Sequence, residues 1–189
     1  MKLNDYINKN HKQAIKKPFS GYVKKSLTHD KSSKDLIEFC KILKECGVNY
    51  RILFGTLLGL YRDGKLIDHD LDMDIATTYS DHPKLYDAII EAEKRGFKIV
   101  RYSFDILVTI FRDDVYIDIY LFKERGKNLK CSVYNLDKSC FIDKSVVKCN
   151  DTDLDTIPDP EKFFKEYYGG DWNKPIKGIH AHPKHKSRK

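Results

Sequence analysis

The spacing of apolar residues predicts alternating helices and strands in the first half of the chain. From Ser33 to Gly47 a helical period places one apolar face along the segment, with Ser33 as N-cap and Gly47 ending the helix. That face comprises Leu36, Phe39, Cys40, Leu43 and Cys46. NYRILF then predicts a short buried strand, and GTLLGLYRDG predicts a glycine turn followed by about two helical turns.

The second half continues with one helix, a group of strands and a last helix. Residues 82–95 are amphipathic at helical spacing and end at Gly96. FKIVRYS, DILVTIF and VYIDIYLF predict strands, the last two joined as an antiparallel hairpin by the tight RDD turn. Weaker strands are predicted at Cys131–Tyr134 and Phe141–Val147, and EKFFKEYYGG predicts a helix after two prolines. This order predicts an α/β domain around a small mixed sheet.

The ends of the chain differ in character from its middle. Residues 1–30 are basic, show no clear period and are expected to include a short helix. Residues 31–175 are predicted to form the catalytic domain, and 176–189 a basic, flexible tail. No apolar run reaches the roughly 20 residues of a membrane span, and the N-terminus is too polar for a secretory signal. We therefore expect a cytoplasmic protein without a transmembrane segment or structural disulfides.

The net charge of +7 is concentrated at the ends of the chain, so the part between is close to neutral or acidic. Basic ends would suit phosphate-bearing partners, or simply a soluble tail. The sequence lacks the interleaved aromatic and basic residues of single-strand binders, so no stable nucleic-acid complex is expected. A non-catalytic nucleic-acid-binding module nevertheless stays the alternative of a different class.

Three of the five cysteines, Cys131, Cys140 and Cys149, are evenly spaced along the chain. A zinc site at these positions is conceivable. No C-x-x-C pair accompanies them, however, and free cysteine commonly behaves as a small buried hydrophobe. The second interpretation is favoured.

The segment IDHDLDMDI at residues 67–75 carries an aspartate at every second position. On a strand, Asp70, Asp72 and Asp74 would share one face and the apolar residues between them would face the core. A solvated strand face is the simplest interpretation. Aspartate is a poor strand former, however, and neighbouring carboxylates repel. A divalent cation would remove that repulsion, as would lysines opposite.

A second strand strengthens the metal hypothesis. Asp118 lies in the middle of the apolar run VYIDIYLF, where a carboxylate is costly unless it is paired or ligating. If the two strands are neighbours, Asp72, Asp74 and Asp118 converge, and three carboxylates suit Mg²⁺ or Mn²⁺. Such a site is typical of metal-assisted phosphoryl chemistry. The glycine and glutamate spacing of an EF-hand loop is absent, and His69-Asp70 is only a weak indication of an HD phosphohydrolase.

The turn Gly55-Thr56 opens the predicted helix that precedes the aspartates. A glycine and a hydroxyl at a helix N-terminus can present backbone N–H groups to a phosphate. Gly55 would also be explained by helix packing, and Arg62 by a surface charge. Placed before three acidic residues, the turn is a candidate phosphate-binding element.

FGTLLGLYRDGKLIDHDLDMDI resembles the signature of the LicD/fukutin-type transferases, in which GTLLG-x-x-R leads to a run of acids. IPDPEKFFKEYYGGDWNKP resembles the proline-led helix and closing element of that family, so the resemblance runs from Asn49 to Pro175. Leu71 stands where the family has an acid, and Asp68-His69 where it commonly has Pro-Trp. Asp171 and Trp172 are candidates for the far wall of the site, although Trp172 would equally serve packing.

The resemblance implies a nucleotidyltransferase-like fold, a small mixed β-sheet flanked by helices. It also implies transfer of a substituted phosphate (phosphocholine, ribitol phosphate or glycerol phosphate) from a CDP-linked donor to a sugar hydroxyl of a glycan or glycolipid. Implied metal ligands are Asp72, Asp74 and Asp118, and implied donor-binding residues are Gly55, Thr56 and Arg62. Asp70 is the candidate general base. The alternatives are a nucleotidyltransferase acting from an NTP on a small molecule, protein or RNA, and a D-x-D glycosyltransferase.

Overall fold

The computed structural model describes residues 2–23, 26–68 and 70–175. The predicted tail at 176–189, together with Lys24, Lys25 and His69, lies outside the described residues. The helices are α1 Leu3–Asn10, α2 Lys12–Lys16, α3 His29–Glu45, α4 Phe54–Asp63, α5 His82–Lys94, α6 Ser139–Ile142 and α7 Pro160–Tyr168. The strands are β1 Tyr50–Ile52, β2 Met73–Thr78, β3 Lys98–Ser103, β4 Leu107–Arg112, β5 Val115–Arg125, β6 Asn128–Cys131, β7 Tyr134–Asp137, β8 Ser145–Cys149 and β9 Thr152–Thr156.

Seven of these strands form a continuous mixed sheet in the order β3-β4-β5-β2-β1-β9-β8. β2 runs parallel to β5 and β1 runs parallel to β9, while the other neighbours along this path are antiparallel. β6 and β7 form a hairpin that pairs with the distal part of β5. The predicted fold class, an α/β domain with a small mixed sheet and flanking helices, is confirmed.

The hairpin of β4 and β5 shows how local sequence sets the sheet register. Asp113 and Asp114 both have positive φ, at 50° and 74°, which is the conformation of a two-residue type I′ turn. The turn therefore places Arg112 opposite Val115 and, further along, Thr109 opposite Asp118. The predicted antiparallel hairpin is confirmed.

The N-terminal segment packs on the sheet and on α5. Leu3 and Ile7 of α1 are fully buried, and the hydroxyl of Tyr6 donates to Glu93 of α5 at 2.6 Å. Further along, the N–H of Phe19 donates to the carbonyl of Val100 on β3. A short N-terminal helix was expected, and the structure has two, α1 and α2.

The predicted helix start at Ser33 is wrong, because α3 begins one turn earlier at His29. The sequence HDKS contains no helix breaker, and the N–H of Ser32 already donates to the carbonyl of Thr28. Ser33 is therefore an interior, buried residue of the helix. The predicted helix end at Gly47 is supported by its left-handed φ of 69°.

The predicted strand over residues 67–75 is only partly correct, since β2 begins at Met73. Strand pairing with β5 starts at Met73, opposite Ile117. Before that point the backbone makes other hydrogen bonds. The N–H of Asp70 donates to the carbonyl of Ile67 in a turn, and the carbonyl of Asp70 accepts from the N–H of Leu27, which is distant in sequence. Asp70 and Asp72 consequently lie in a loop, and the alternation of faces predicted for them does not apply.

The two weaker strand predictions are also misplaced. The Cys131–Tyr134 segment spans the turn between β6 and β7, with Ser132 at a φ of 52°. Phe141 belongs to α6, so the strand predicted there begins only at Ser145. β9 was not predicted because its sequence, TDLDT, has almost no apolar residues. The predicted last helix is confirmed as α7.

Among the residues that the structure describes, no helix is long and apolar enough to cross a bilayer.

Candidate active site

The central strands bring Asp74 and Asp118 together. The two residues are register partners on the parallel strands β2 and β5, so their side chains leave the same face of the sheet. The opposite face of these strands is apolar and belongs to the core, with Met73, Ile75 and Ile119 fully or almost fully buried. The sheet thus places two carboxylates next to each other on the face opposite the apolar core.

Asp118 is held by its neighbours on the next strands. Its side chain is 3% exposed, and the hydroxyl of Thr109 on β4 donates to Asp118 Oδ1 at 2.5 Å. One guanidinium nitrogen of Arg101 on β3 lies 3.9 Å from Asp118 Oδ2. A buried carboxylate needs such partners, and the hydrogen bond from Thr109 also fixes the direction in which Oδ1 points.

Asp74 is fixed by the turn between β1 and α4. The N–H of Gly55 donates to Asp74 Oδ2 at 3.2 Å, and the N–H of Asp74 donates to Thr56 Oγ1 at 2.7 Å. Thr56 is therefore buried and joins helix to strand through its hydroxyl. Its predicted contact with the donor phosphates stays a prediction.

The same turn contains a strained residue. Phe54 has a φ of 50°, an unfavourable backbone conformation for a bulky side chain. Its ring packs against Tyr134 at a centroid distance of 4.6 Å and against Tyr120 at 5.1 Å. This aromatic packing holds the backbone in the conformation that directs the Gly55 N–H at Asp74.

Four carboxylates interact electrostatically at this place. Burial raises the pKa of Asp74 well above its usual range, and the negative charges of Asp72, Asp118 and Asp70 raise it further. The loop therefore delivers Asp70 and Asp72 to the site even though they are not on the strand. The side chain of Asp70 lies so close to Gly55 that a Cβ on this glycine would be 2.8 Å from Asp70 Oδ2.

Arg62 lies near the acidic group but makes its closest contacts elsewhere. Its guanidinium forms two hydrogen bonds with the neighbouring Asp63, at 2.9 and 2.6 Å. The hydrogen bond from Arg62 to Asp63 raises the pKa of Arg62, and the charge of Asp70 contributes in the same direction. A donor phosphate would therefore compete with Asp63 for this side chain.

Several residues at the site were not foreseen from the sequence. Thr109 could have been found, because the two-residue hairpin turn fixes it opposite Asp118. Tyr120, Tyr134 and Tyr168 were also missed: burial raises the pKa of each hydroxyl, and the carboxylate of Asp74 raises it further. They form a tyrosine wall beside the carboxylates, for which the sequence offers no signal besides aromatic residues at core-like positions.

The sequence contains a recognised domain that coincides with this site. The model of the family described as LicD/FKTN/FKRP, nucleotidyltransferase domain, matches residues 47–150. The chain belongs to this family. The match includes β1, the β1–α4 turn, all four aspartates and Thr109, and family membership indicates a transferase.

Solved structures with a similar fold support the architecture of this LicD-family chain. The solution structure of the antibiotic-resistance factor ANT(2'')-Ia has a TM-score of 0.57 and 12% identity, covering 82% of this chain and 80% of that one. The crystal structure of ANT(2'')-Ia in complex with adenylyl-2''-tobramycin has a TM-score of 0.50 and 10% identity, covering 67% and 69%. No curated protein matches the sequence. At these identities the likeness establishes a nucleotidyltransferase-type fold.

The carboxylates have the right chemistry for a hard cation, but they are not closed around one. Within residues 2–23, 26–68 and 70–175, no group of three or more His, Cys, Asp or Glu side chains is already placed to hold a metal ion. This applies to the LicD-family aspartates and equally to Cys131, Cys140 and Cys149, which are free thiols. The crowding that raises the pKa of Asp74 is, however, the condition that a bound Mg²⁺ or Mn²⁺ would relieve.

The contact between Gly55 and Asp70 gives a test of the loop's role. In Gly55→Ala the new Cβ would lie 2.8 Å from Asp70 Oδ2, the end of a side chain that can rotate away. We expect little change in unfolding free energy but a loss of turnover of about 10- to 100-fold, because Asp70 is displaced. Urea unfolding and initial rates measure the two effects; an unchanged rate would show that the position of Asp70 does not matter.

Gly59→Ala, in the same helix, is the matched case with the opposite expectation. Its Cβ would meet backbone, at 2.7 Å from the Lys65 carbonyl oxygen and 3.1 Å from the Ile67 nitrogen. We expect a destabilisation of about 1–3 kcal/mol from overpacking, despite the gain of about 1 kcal/mol in helix propensity. A urea midpoint equal to that of wild type would contradict the close packing of the 65–67 loop on α4.

Proposed function

We propose that this LicD-family chain transfers a substituted phosphate from a CDP-linked donor to a sugar hydroxyl of a glycan or glycolipid, with Mg²⁺ or Mn²⁺ as cofactor. The observation that carries the proposal is the pairing of Asp74 with Asp118 across parallel strands. Two further carboxylates and a backbone N–H at a helix N-terminus adjoin this pair. Phosphoryl transfer requires such a combination, because charge must be neutralised and the reacting groups held in place.

In this proposal the metal ligands are Asp72, Asp74 and Asp118. A bound cation would neutralise the carboxylates and the donor phosphates together. Asp118 is already oriented by Thr109, and Asp74 by Gly55. Asp72 lies in the loop preceding β2, and its negative charge already acts on Asp74.

The remaining roles follow from position. Gly55 and Thr56 hold the turn that faces the donor phosphates, and Arg62 adds positive charge near the same turn. Asp70, which packs against Gly55, is the candidate to accept the proton of the sugar hydroxyl. The CDP group and the nature of the acceptor are part of this proposal and follow from the family resemblance, whereas the cytoplasmic location rests on the sequence patterns alone.

A second candidate is a nucleotidyltransferase that transfers NMP from an NTP. One observation favours it: a solved protein with the same fold is found in complex with adenylyl-2''-tobramycin. Both reactions need the same carboxylates, so the acidic site does not discriminate between them. The donor does.

A ligand screen separates the two candidates. Thermal shifts of the full chain with Mn²⁺ are measured for CDP-choline, CDP-ribitol and CDP-glycerol, and in parallel for ATP, CTP, GTP and UTP. The proposal expects a metal-dependent shift with at least one CDP-linked compound that exceeds every NTP shift. Stabilisation by an NTP alone would favour the second candidate, and stabilisation by neither group would overturn both.

A further inference from the structure

Four strands place a cation in the same row as the paired aspartates. Arg101 on β3 is the register partner of Thr109 on β4, Thr109 of Asp118 on β5, and Asp118 of Asp74 on β2. Residues that are register partners in this way point to the same face of a sheet. We propose that Arg101 binds the diphosphate of the nucleotide-linked donor, an inference that rests on the proposed function.

A shift of the strand register puts Arg101 in this row. Lys98 and Ile99 pair with Phe111 and Ile110, but from Arg101 onwards the pairing is displaced by one residue. Without that displacement Arg101 would be opposite Val108, whose side chain is fully buried on the apolar face. Irregularities of this kind re-aim side chains and are frequent beside active sites. Here the irregularity turns a guanidinium from the core side to the acidic side.

The contacts of Arg101 leave room for a ligand. Its nearest carboxylate oxygen, Asp118 Oδ2, is 3.9 Å away, beyond hydrogen-bond distance, and the side chain remains 34% exposed. The ring of Phe19 supports the guanidinium from another side, at 5.7 Å from the ring centroid. Arg62, by contrast, donates two short hydrogen bonds to Asp63. Arg101 is therefore the better placed of the two arginines to donate to a phosphate.

The chemistry of the site calls for a cation at this position. A diphosphate approaching the four aspartates is repelled, and a metal ion at the carboxylates compensates only at their end of the row. A planar guanidinium beside Asp118 offers two parallel N–H donors to phosphate oxygens, a geometry that lysine does not provide. Arg101 would thus bind the donor at the other end of the row.

The test compares Arg101→Ala and Arg101→Lys with wild type, using isothermal titration with CDP at saturating Mn²⁺ and with Mn²⁺ alone. We expect Arg101→Ala to weaken CDP binding about 10- to 100-fold and Arg101→Lys to weaken it less. Binding of Mn²⁺ alone is expected to be equal to wild type or tighter, because a cation near Asp118 has been removed. Arg125→Ala, at the exposed end of β5, is the control and should leave both affinities unchanged.

The outcomes are distinguishable. Wild-type CDP affinity in Arg101→Ala would overturn the inference and leave the proposed function standing. Parallel loss of Mn²⁺ and CDP binding in both Arg101 variants would also overturn it, since Arg101 would then only maintain the shape of the site. If wild type itself binds no CDP in the presence of Mn²⁺, the proposed donor is wrong and the inference fails with it.

Discussion

Asp118→Asn is expected to lower turnover by about 100- to 1,000-fold or more while the protein remains folded. Asparagine keeps the size of the side chain, and its carbonyl oxygen can still accept the hydrogen bond from Thr109. The negative charge that would hold the cation is lost, and metal-ion stabilisation of the transferring phosphate accounts for several kcal/mol of the barrier. Initial rates with the donor identified by the screen, at saturating Mn²⁺, measure the loss.

We also expect Mn²⁺ to stabilise wild type against heat and the same substitution to abolish that stabilisation. Asp155→Asn is the matched control: Asp155 is a buried aspartate of the same sheet, paired with Lys144 at 2.8 Å and remote in sequence from the site. It should lose some stability but keep both turnover and the response to Mn²⁺. Near-normal turnover of Asp118→Asn would refute the assignment of Asp118 as a metal ligand.

Arg51→Met is expected to give the largest loss of stability, about 3–5 kcal/mol. Arg51 on β1 is 1% exposed and its guanidinium donates to three backbone carbonyls, those of Cys140, Asp143 and Tyr50, at 2.7–3.0 Å. Methionine fills a similar volume but removes the donor from all three hydrogen bonds, and hydrogen bonds that involve a charged group contribute about 1.5–3 kcal/mol each. Urea unfolding followed by circular dichroism measures the change in unfolding free energy.

We also expect Arg51→Met to weaken the support of the turn that contacts Asp74. The contacts of Arg51 join the segment around α6 to β1, the strand that leads directly into the Phe54–Gly55 turn. Arg125→Met, at an exposed position of β5, is the control and should change the unfolding free energy by no more than about 0.5 kcal/mol. If Arg51→Met unfolded at the wild-type urea concentration, the carbonyl contacts of Arg51 would not stabilise the fold.

The loop that contains Asp70 and Asp72 shows the limit of reading alternation as a strand. Alternating aspartates and apolar residues satisfy the strand pattern from Ile67 onwards, yet pairing with β5 begins only at Met73, opposite Ile117, although β5 itself starts at Val115. The carbonyl of Asp70 is taken instead by Leu27, a residue more than forty positions earlier. Asp70, Asp72 and Asp118 nevertheless all raise the pKa of Asp74, and their joint role as a site stays a prediction.

What the sequence by itself determined is local in origin. Helical periods, glycine helix ends and the two-residue turn at Asp113–Asp114 depend on neighbours in the chain, so α4, α5, α7 and the β4–β5 register follow from them. The family motif likewise makes the acidic residues and the Gly55-Thr56 turn candidates for the site.

Only the tertiary structure decided which strands lie side by side and which face each side chain takes. The parallel pairing of Asp74 with Asp118 joins residues with no turn between them, so no local signal sets its register. Arg101 depends on a one-residue shift in β3, and such a shift reverses the face of every residue that follows. Without this displaced pairing Arg101 would lie on the core side of the sheet, and with it Arg101 faces the carboxylates.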